Sequence, residues 1–144
     1  MKIRNLLETK GNVVVTVPPS LPVNDAVRLL VEHNIGSVVV VRDGDIEGIL
    51  TERDILRLVA KDSGGLERLK VDEVMTRDVI VGVPGDSLEY VMEIMIQNRF
   101  RHLPVVDDGG LQGILSIGDV VGALRKNVQA ENRYMRDYIQ GKTY

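Results

Sequence analysis

The sequence predicts an α/β (α+β) fold built from two copies of one β-α-β-β-α repeat, followed by a helical extension. The stretch Gly-Ile-Leu-Thr-Glu-Arg-Asp at residues 48–54 returns 65 residues later as Gly-Ile-Leu-Ser-Ile-Gly-Asp at residues 113–119. In each copy an apolar run precedes the stretch and helical periodicity follows it. Eight residues recur unchanged in this register: Val40, Val41, Asp43, Gly44, Gly48, Ile49, Leu50 and Asp54. So many identities in one register indicate an internal duplication, and two repeats of about 60 residues can share a core that one alone would lack.

The composition of the 144-residue chain is ordinary for a globular protein and argues against several classes of function. The absence of cysteine removes disulfides, thiol nucleophiles and cysteine metal sites, and two histidines are few for a zinc site. A formal charge of −3, one Phe and no Trp argue against nucleic-acid binding. No stretch resembles a secretion signal or approaches the roughly 20 apolar residues that span a bilayer. We therefore expect a cytoplasmic protein that binds neither nucleic acid nor membrane.

The first repeat, at residues 1–62, is predicted from its hydrophobic pattern. Its elements are a helix over 3–8 that ends near Gly11, a strand over 13–17, a helix over 26–33, strands over 38–41 and 46–50, and a helix over 54–59. The second of these helices is capped by Asn24 or Ser20 and is broken by Gly36. Its buried side consists of Val23, Ala26, Val27, Leu30 and Val31. The Asp-Gly pair at 43–44 predicts a tight hairpin turn between the two later strands.

The pattern restarts after a linker at residues 63–70, and the second repeat spans residues 71–126. Its elements are an opening segment with Val71, Val74 and Met75, a strand over 79–83, a helix over 88–97, and strands over 103–106 and 111–115 joined at Asp108-Gly109. A C-terminal helix over 127–144 continues the last helical pattern to about Gln140, with Gly141 as its cap. It carries a broken apolar stripe of Val121, Leu124, Val128, Met135, Tyr138 and Ile139. This stripe favours packing on its own or a partner subunit over cofactor binding. The helix projects past the duplicated core, so we expect a homodimer.

Each junction between strand and helix carries a hydroxyl residue followed three positions later by an aspartate. In the first repeat these are Thr51 and Asp54, and in the second they are Ser116 and Asp119. The pattern matches a capping box, in which the hydroxyl accepts a backbone N–H and the acid suits the positive end of the helix. The same helix N-terminus can hold a phosphate group. The two interpretations are compatible, because one hydroxyl can cap a helix and contact a phosphate.

Both repeats resemble the CBS domain, named for cystathionine β-synthase, paired as a Bateman module. The resemblance is carried by the stretches at 48–54 and 113–119, by a Val-Pro pair after each first strand, and by Arg-His-Leu-Pro-Val-Val at 101–106. It covers roughly residues 1–125, and the tail at 131–139 resembles that of small stand-alone bacterial or archaeal members. The resemblance implies two units packed sheet to sheet about a pseudo-twofold axis, with two clefts between them. It also implies a dimerising module that senses and regulates without catalysis.

The resemblance further implies an adenosine-containing ligand, AMP, ADP or ATP first, with NAD(H) or S-adenosylmethionine as alternatives and no required cofactor. Asp119 in one cleft and Asp54 in the other would accept hydrogen bonds from ribose hydroxyls. Ser116 or Thr51 would hold a phosphate oxygen, and Gly118 would let the ligand approach the backbone. The adenine would lie against apolar segments: 80–83 (including Ile80 and Val81) with 100–104 (including Phe100 and Pro104), and 14–17 (including Val15) with 35–38 (including Ile35 and Ser37).

Cations are distributed unevenly between the two repeats. Three basic residues precede the second hairpin: Arg99, Arg101 and His102. The first repeat has uncharged residues at these positions: Asn34, Gly36 and Ser37. The basic residues are interpreted either as a solvated loop or as a phosphate-neutralising group. Arg53 stands where the second repeat has Gly118, and its guanidinium is expected to reach a phosphate in the neighbouring cleft. The second-repeat cleft is therefore the better candidate for a charged nucleotide.

These patterns favour a non-enzymatic regulatory module that binds an adenine nucleotide. It would act through an unidentified partner protein or through a rearrangement of a homodimer. The main alternative is an interaction module whose clefts are vestigial. An enzyme is disfavoured because the sequence offers no nucleophile–base pair, no metal cluster and no phosphate-cradling loop beyond the two helix ends.

Overall fold

A computed structural model describes residues 1–141, so the last three residues of the predicted C-terminal helix lie outside the described residues. The chain divides into two compact units. The N-repeat unit contains residues 13–81 and 108–110, and the C-repeat unit contains residues 1–12, 82–107 and 111–141. The opening residues therefore pack with the second repeat. The expected bounds of the repeats describe the duplication in the sequence, whereas these packing units divide the chain differently.

The described residues form six α-helices and five strands. In chain order they are α1 (Ile3–Lys10), β1 (Thr16–Val17), α2 (Val23–His33), β2 (Ser37–Arg42), β3 (Asp45–Thr51), α3 (Glu52–Lys61), α4 (Gly65–Arg68), α5 (Leu88–Asn98), β4 (His102–Asp107), β5 (Gly110–Ser116) and α6 (Ile117–Ile139). A 3-10 turn at Val71–Glu73 lies between α4 and α5. None of the helices within residues 1–141 combines the length and the apolar character needed to span a membrane.

The N-repeat unit is built on the sheet β1-β2-β3. β1 runs parallel to β2, and β2 is antiparallel to β3. The consecutive residues Val38, Val39 and Val40 are completely buried, as expected for a strand covered on both faces. Asp43 (φ 50°) and Gly44 (φ 84°) turn the hairpin in the left-handed conformation that a two-residue loop requires, so the predicted Asp-Gly turn is confirmed.

The C-repeat unit has the two-stranded sheet β4-β5 and a core shared by three helices. Ile3 and Leu7 of α1 are buried among α5 residues such as Leu88 and Met95. The backbone also attaches α1, because Ile3 N–H donates to Asp86 O at 2.9 Å. The helix α1 at the start of the chain therefore packs with the second repeat.

Both predicted first strands are shorter than the sequence suggested. Only Thr16–Val17 of the predicted 13–17 forms the strand that pairs with β2, and before it Val15 O accepts Val39 N–H at 3.2 Å. The predicted strand over 79–83 is reduced to one parallel bridge. There Gly82 N–H donates to Pro104 O at 2.9 Å, and Gly82 O accepts Val106 N–H at 2.9 Å.

Helix α2 corrects three expectations. It starts directly after Pro22, so neither Asn24 nor Ser20 caps it. A side-chain cap is not needed at its start because Val23 N–H donates to Leu69 O at 3.0 Å. The helix ends at Asn34, which adopts the left-handed conformation (φ 51°) before the predicted breaker Gly36 is reached. Its buried face is Val23, Ala26 and Leu30, whereas Val27 is half-buried and Val31 is 76% exposed, one residue past that face.

The predicted linker is a packed turn of helix, α4. Gly65 is buried, and a Cβ there would lie 2.7 Å from the Leu58 side chain.

At the other end of the chain, α6 runs unbroken for 23 residues. It ends where the sequence predicted, with Gly141 at φ 75° and its N–H donating to Tyr138 O at 3.0 Å.

Candidate ligand-binding junctions

The two candidate sites are the starts of α3 and α6, and both are capping boxes. At the first junction Thr51 Oγ1 accepts Asp54 N–H at 3.3 Å, and Thr51 N–H donates to Asp54 Oδ2 at 2.9 Å. At the second junction Ser116 Oγ accepts Asp119 N–H at 3.1 Å, and Ser116 N–H donates to Asp119 Oδ2 at 2.8 Å. The capping interpretation is confirmed in both repeats, and it fixes each carboxylate at a helix N-terminus.

The strand that begins each hairpin is joined to its junction by one backbone hydrogen bond. Glu52 N–H donates to Gly36 O at 3.0 Å, and Ile117 N–H donates to Arg101 O at 2.8 Å. The two bonds occupy equivalent positions in the duplication. They place the backbone of Gly36 beside the first junction and the backbone of Arg101 beside the second, so the uncharged and the basic residue hold equivalent positions.

At the first junction, the aspartate is buried and its oxygens bind donors of the protein. Asp54 is only 8% exposed. Its Oδ1 accepts a hydrogen bond from Thr76 Oγ1 at 3.0 Å, and its Oδ2 accepts a second bond from Thr51 Oγ1 at 3.1 Å. Thr76 is held by two backbone bonds of 2.9 Å that it exchanges with Ile49. Both carboxylate oxygens of Asp54 are therefore already occupied by protein donors.

The second junction is more open and carries a cation. The Asp119 side chain is 28% exposed, and Lys10 Nζ lies 2.5 Å from its Oδ2. The same ammonium donates to Ile114 O, also at 2.5 Å. Burial alone would raise the pKa of Asp119, but the hydrogen bond from Lys10, the Ser116 N–H and the Lys10 charge together hold the pKa below its usual 3.8. Asp119 is therefore an anion at neutral pH.

Two arginines that precede β4 have no side-chain partners within the described chain. Arg99 and Arg101 are both exposed, and neither makes an ion pair or a side-chain hydrogen bond within residues 1–141. Arg99 caps α5 in the left-handed conformation, at φ 56°. Asn34 occupies the equivalent cap with φ 51°, and asparagine tolerates this conformation better than arginine does. Local backbone preference therefore does not explain an arginine at position 99.

The remaining predicted contact residues fall into three groups. Phe100 and Pro104 belong to the C-repeat unit, where Pro104 is buried, while Ile80 and Val81 belong to the N-repeat unit and are 38% and 41% exposed. The second group is held in the N-repeat unit, where Val15 and Ile35 pack against the core and Ser37 is buried. The third group is polar or small: His102 is half-buried, and Arg53 and Gly118 are exposed.

Gly118 is not required by the packing of the chain. A Cβ built on Gly118 would meet only Ser116 Oγ, at an ordinary 3.6 Å. Glycine near the start of a helix lowers helix stability relative to most residues, so its presence calls for another reason. Open backbone beside a phosphate-binding helix end is one such reason.

Sequence reasoning did not identify Lys10 and Thr76. Each donates to a junction aspartate from a segment that lies outside the junction motif, Lys10 from the end of α1 and Thr76 from the loop after the 3-10 turn. The sequence contained one indication of these donors. The apolar residues around 3–7 resemble those around 71–75, and one of the two donors follows each of these segments.

A sequence model of the CBS domain matches the chain twice, over residues 10–61 and 71–126. CBS domain-containing protein CBSX3, mitochondrial, of Arabidopsis thaliana is 39% identical over 124 residues, covering 83% of this chain and 60% of CBSX3, so the chain spans less than two thirds of that relative. The crystal structure of the CBS-domain protein ATU1752 from Agrobacterium tumefaciens superposes with a TM-score of 0.82 at 42% identity, covering 85% of this chain and 98% of that one.

The CBS domain pair of protein MJ0100, crystallised with 5′-methylthioadenosine and S-adenosylmethionine, is 25% identical with a TM-score of 0.76, covering 86% of this chain and 99% of that one. The duplicated hairpins and the duplicated capping boxes are thus the features of a known fold. The chain belongs to the CBS-domain family, and it carries a tandem pair of CBS repeats.

Proposed function

We propose that this chain is a non-enzymatic regulatory module that binds an adenosine-containing nucleotide, AMP, ADP or ATP, at the second junction. The observation that carries the proposal is an ionised carboxylate at a helix N-terminus beside arginines that have no partner within residues 1–141. Lys10 Nζ and Ser116 N–H both donate to Oδ2 of Asp119, and neither of these bonds involves Oδ1. Its Oδ1 is therefore suited to accept the hydroxyl groups of a ribose.

The charges around the second junction favour a phosphate group on the ligand. The first N–H groups of α6 supply the positive end of a helix dipole. Arg99 and Arg101 add two guanidinium groups that can each bind a phosphate in a bidentate manner. We expect the first junction to bind more weakly, because the protein already occupies both oxygens of Asp54.

Relatives support adenosine as the common part of the ligand without fixing the rest of it. The MJ0100 pair was crystallised with two adenosine derivatives, neither of which carries a phosphate. S-adenosylmethionine and NAD(H) therefore remain alternatives to AMP, ADP and ATP. Binding would be communicated through a partner protein or a rearranged homodimer, and such coupling requires a ligand that prefers one of two states.

Calorimetric titration of the purified chain with AMP, ATP, NADH and S-adenosylmethionine tests this proposal. We expect saturable binding of a phosphorylated ligand, a loss of at least tenfold in affinity in Asp119→Ala, and a smaller loss in Asp54→Ala. A ligand at 100 times its Kd should also stabilise the fold by about 2.7 kcal/mol, which is visible as an increased melting temperature. If none of the four ligands binds, the nucleotide proposal is wrong.

A second candidate function is an interaction module whose junctions bind no ligand. It is favoured by the exposed apolar residues along α6, among them Val128, Met135 and Tyr138, which are 52%, 56% and 71% exposed. Under this alternative Asp119→Ala leaves partner binding intact, whereas substitutions on α6 abolish it. Comparing these variants in a pull-down from the source cells separates the two functions.

A further inference from the structure

At each junction, one residue donates hydrogen bonds to two acceptors, and the acceptors occupy equivalent positions in the two repeats. In the N-repeat unit, Thr76 donates through its backbone N–H to Ile49 O and through Oγ1 to Asp54. In the C-repeat unit, Lys10 donates through Nζ to both Ile114 O and Asp119. Ile49 and Asp54 lie 65 residues before Ile114 and Asp119, so the acceptors are equivalent in the duplication.

The donors differ in charge although their acceptors match. Thr76 is a neutral partner that completes the first junction without changing its charge. Lys10 brings a full positive charge to the second junction. An ammonium has three N–H donors, and Lys10 uses two of them within the protein. The third donor, on a side chain that is 30% exposed, is available to a ligand.

Packing fixes the position of this cation. Lys10 is the last residue of α1, and the buried Leu7 anchors the final turn of that helix. Leu7 packs closely against Gly113, where a Cβ would lie 2.7 Å from Leu7 Cδ2. A partly exposed ion pair contributes little to stability, and Ser116 N–H already binds the Asp119 carboxylate. Stability alone therefore gives a weak reason for a lysine at this place.

We propose that Lys10 is a ligand-recognition residue, which makes the second junction selective for adenosine ligands that carry phosphate over neutral or cationic ones. This inference rests on the proposed nucleotide binding at Asp119. The ammonium lies on Asp119, and we expect it to act together with Arg99 and Arg101 on a phosphate, which carries a charge of about −1.5 to −2. Adenosine and 5′-methylthioadenosine lack that charge, and the sulfonium and amino groups of S-adenosylmethionine are positively charged.

The test is a titration of the full chain with AMP, adenosine and S-adenosylmethionine, which share adenosine and carry an anionic, a neutral and a net cationic 5′ group. Wild type is compared with Lys10→Met, which keeps the length of the side chain, and with Lys10→Arg, which keeps the charge. Lys61→Met is the matched control, because it removes a lysine from the last position of another helix, α3, where it makes no ion pair within the described residues. In Lys10→Met we expect affinity for AMP to fall by about tenfold or more, the loss typical of a hydrogen bond to a charged group. Affinity for adenosine should change by less than about threefold, a difference below 1 kcal/mol.

The remaining variants and outcomes separate recognition from structure. Lys10→Arg should retain most of the affinity for AMP, and Lys61→Met should leave the AMP-to-adenosine ratio unchanged. Equal losses for AMP and adenosine in Lys10→Met would mean that Lys10 only supports the fold, and unchanged or tighter AMP binding would overturn the inference as well. A wild-type chain that binds none of these three ligands and neither ATP nor NADH would refute the proposed function itself, before any variant is compared. Thermal melting of each variant identifies losses caused by unfolding.

Discussion

At the scale of single residues, Asp119 and Lys10 give the second junction a pH-dependent contact. The pKa of Asp119 is lowered in the folded state, so the unfolded chain binds this proton more readily. The stabilisation is therefore complete above the unfolded pKa of about 3.9 and is lost as the pH falls through the lower folded value. Lys10→Met should reduce stability by a constant amount from about pH 7 to pH 5, and this difference should shrink below about pH 4.

Urea unfolding of wild type and Lys10→Met across this pH range measures the difference. Lys61→Met is the matched control, since Lys61 is the last residue of α3 and makes no ion pair within the described residues. Its effect should not vary with pH over the acidic range. A wild-type advantage over Lys10→Met that stays constant down to pH 3 would show that the ion pair is not the cause.

Residue-scale prediction from the sequence succeeded where partners are close along the chain. Both capping boxes join positions three residues apart, and the structure contains both. Lys10 and Asp119 are 109 residues apart, and Thr76 and Asp54 are 22 apart. No local pattern links such residues, so only the folded packing identifies the donors of each carboxylate. The ligand contacts assigned to Arg53, Arg99, Arg101 and His102 stay predictions.

At the scale of elements, the second strand of each hairpin, β3 or β5, carries a glycine that allows a neighbouring segment to pack against it. A Cβ on Gly48 would lie 2.6 Å from Met75 Sδ and 2.8 Å from Thr76 O, a backbone atom held by its bonds to Ile49. A Cβ on Gly113 would meet only the end of the Leu7 side chain. Gly48→Ala should therefore destabilise the chain by about 1–3 kcal/mol, the usual range for overpacking.

Gly113→Ala is the matched comparison, because Leu7 can change its rotamer while the Thr76 carbonyl cannot move without breaking its bridge. We expect Gly113→Ala to cost less than half as much in the free energy of unfolding, measured with denaturant. Gly48→Ala should also disturb Asp54 through Thr76. Equal costs for the two variants would contradict this account of the packing.

The accuracy of element prediction depended on how local its determinants are. The hairpins were predicted because an Asp-Gly turn between two β-branched runs is a pattern of residues adjacent in the sequence. The strands over 13–17 and 79–83 were overestimated, because pairing requires a partner strand and a free N–H at each step. The start of α2 was misplaced for a similar reason, since its first donor is satisfied by Leu69 from a distant part of the sequence.

At the scale of the whole molecule, α6 exposes an apolar stripe beyond the core of the C-repeat unit. Met135, Tyr138 and Ile139 are 56%, 71% and 79% exposed. We expect this stripe to bind a second copy of the chain, giving a dimer in solution. Met135→Glu combined with Tyr138→Glu should place unpaired charges in that contact and convert the dimer to a monomer.

Light scattering coupled to gel filtration measures the mass of each variant. Gln129→Glu is the control, since it adds a charge to the same helix at an exposed position outside the stripe. It should leave the mass at twice that of the monomer. A wild-type chain that is monomeric at all concentrations would remove the basis for dimerisation through α6.

The sequence by itself determined the duplication, the hairpin turns, the amphipathic helices and the two capping boxes. These features depend on periodicity or on residues a few positions apart, so they are readable without knowing the fold. The tertiary structure decided that α1 packs with the second repeat and that Lys10 and Thr76 complete the two junctions. The physical reason is that a buried or half-buried carboxylate accepts hydrogen bonds from the donors that tertiary packing places beside it. In this chain the packing brings a cation to one repeat and a neutral hydroxyl to the other.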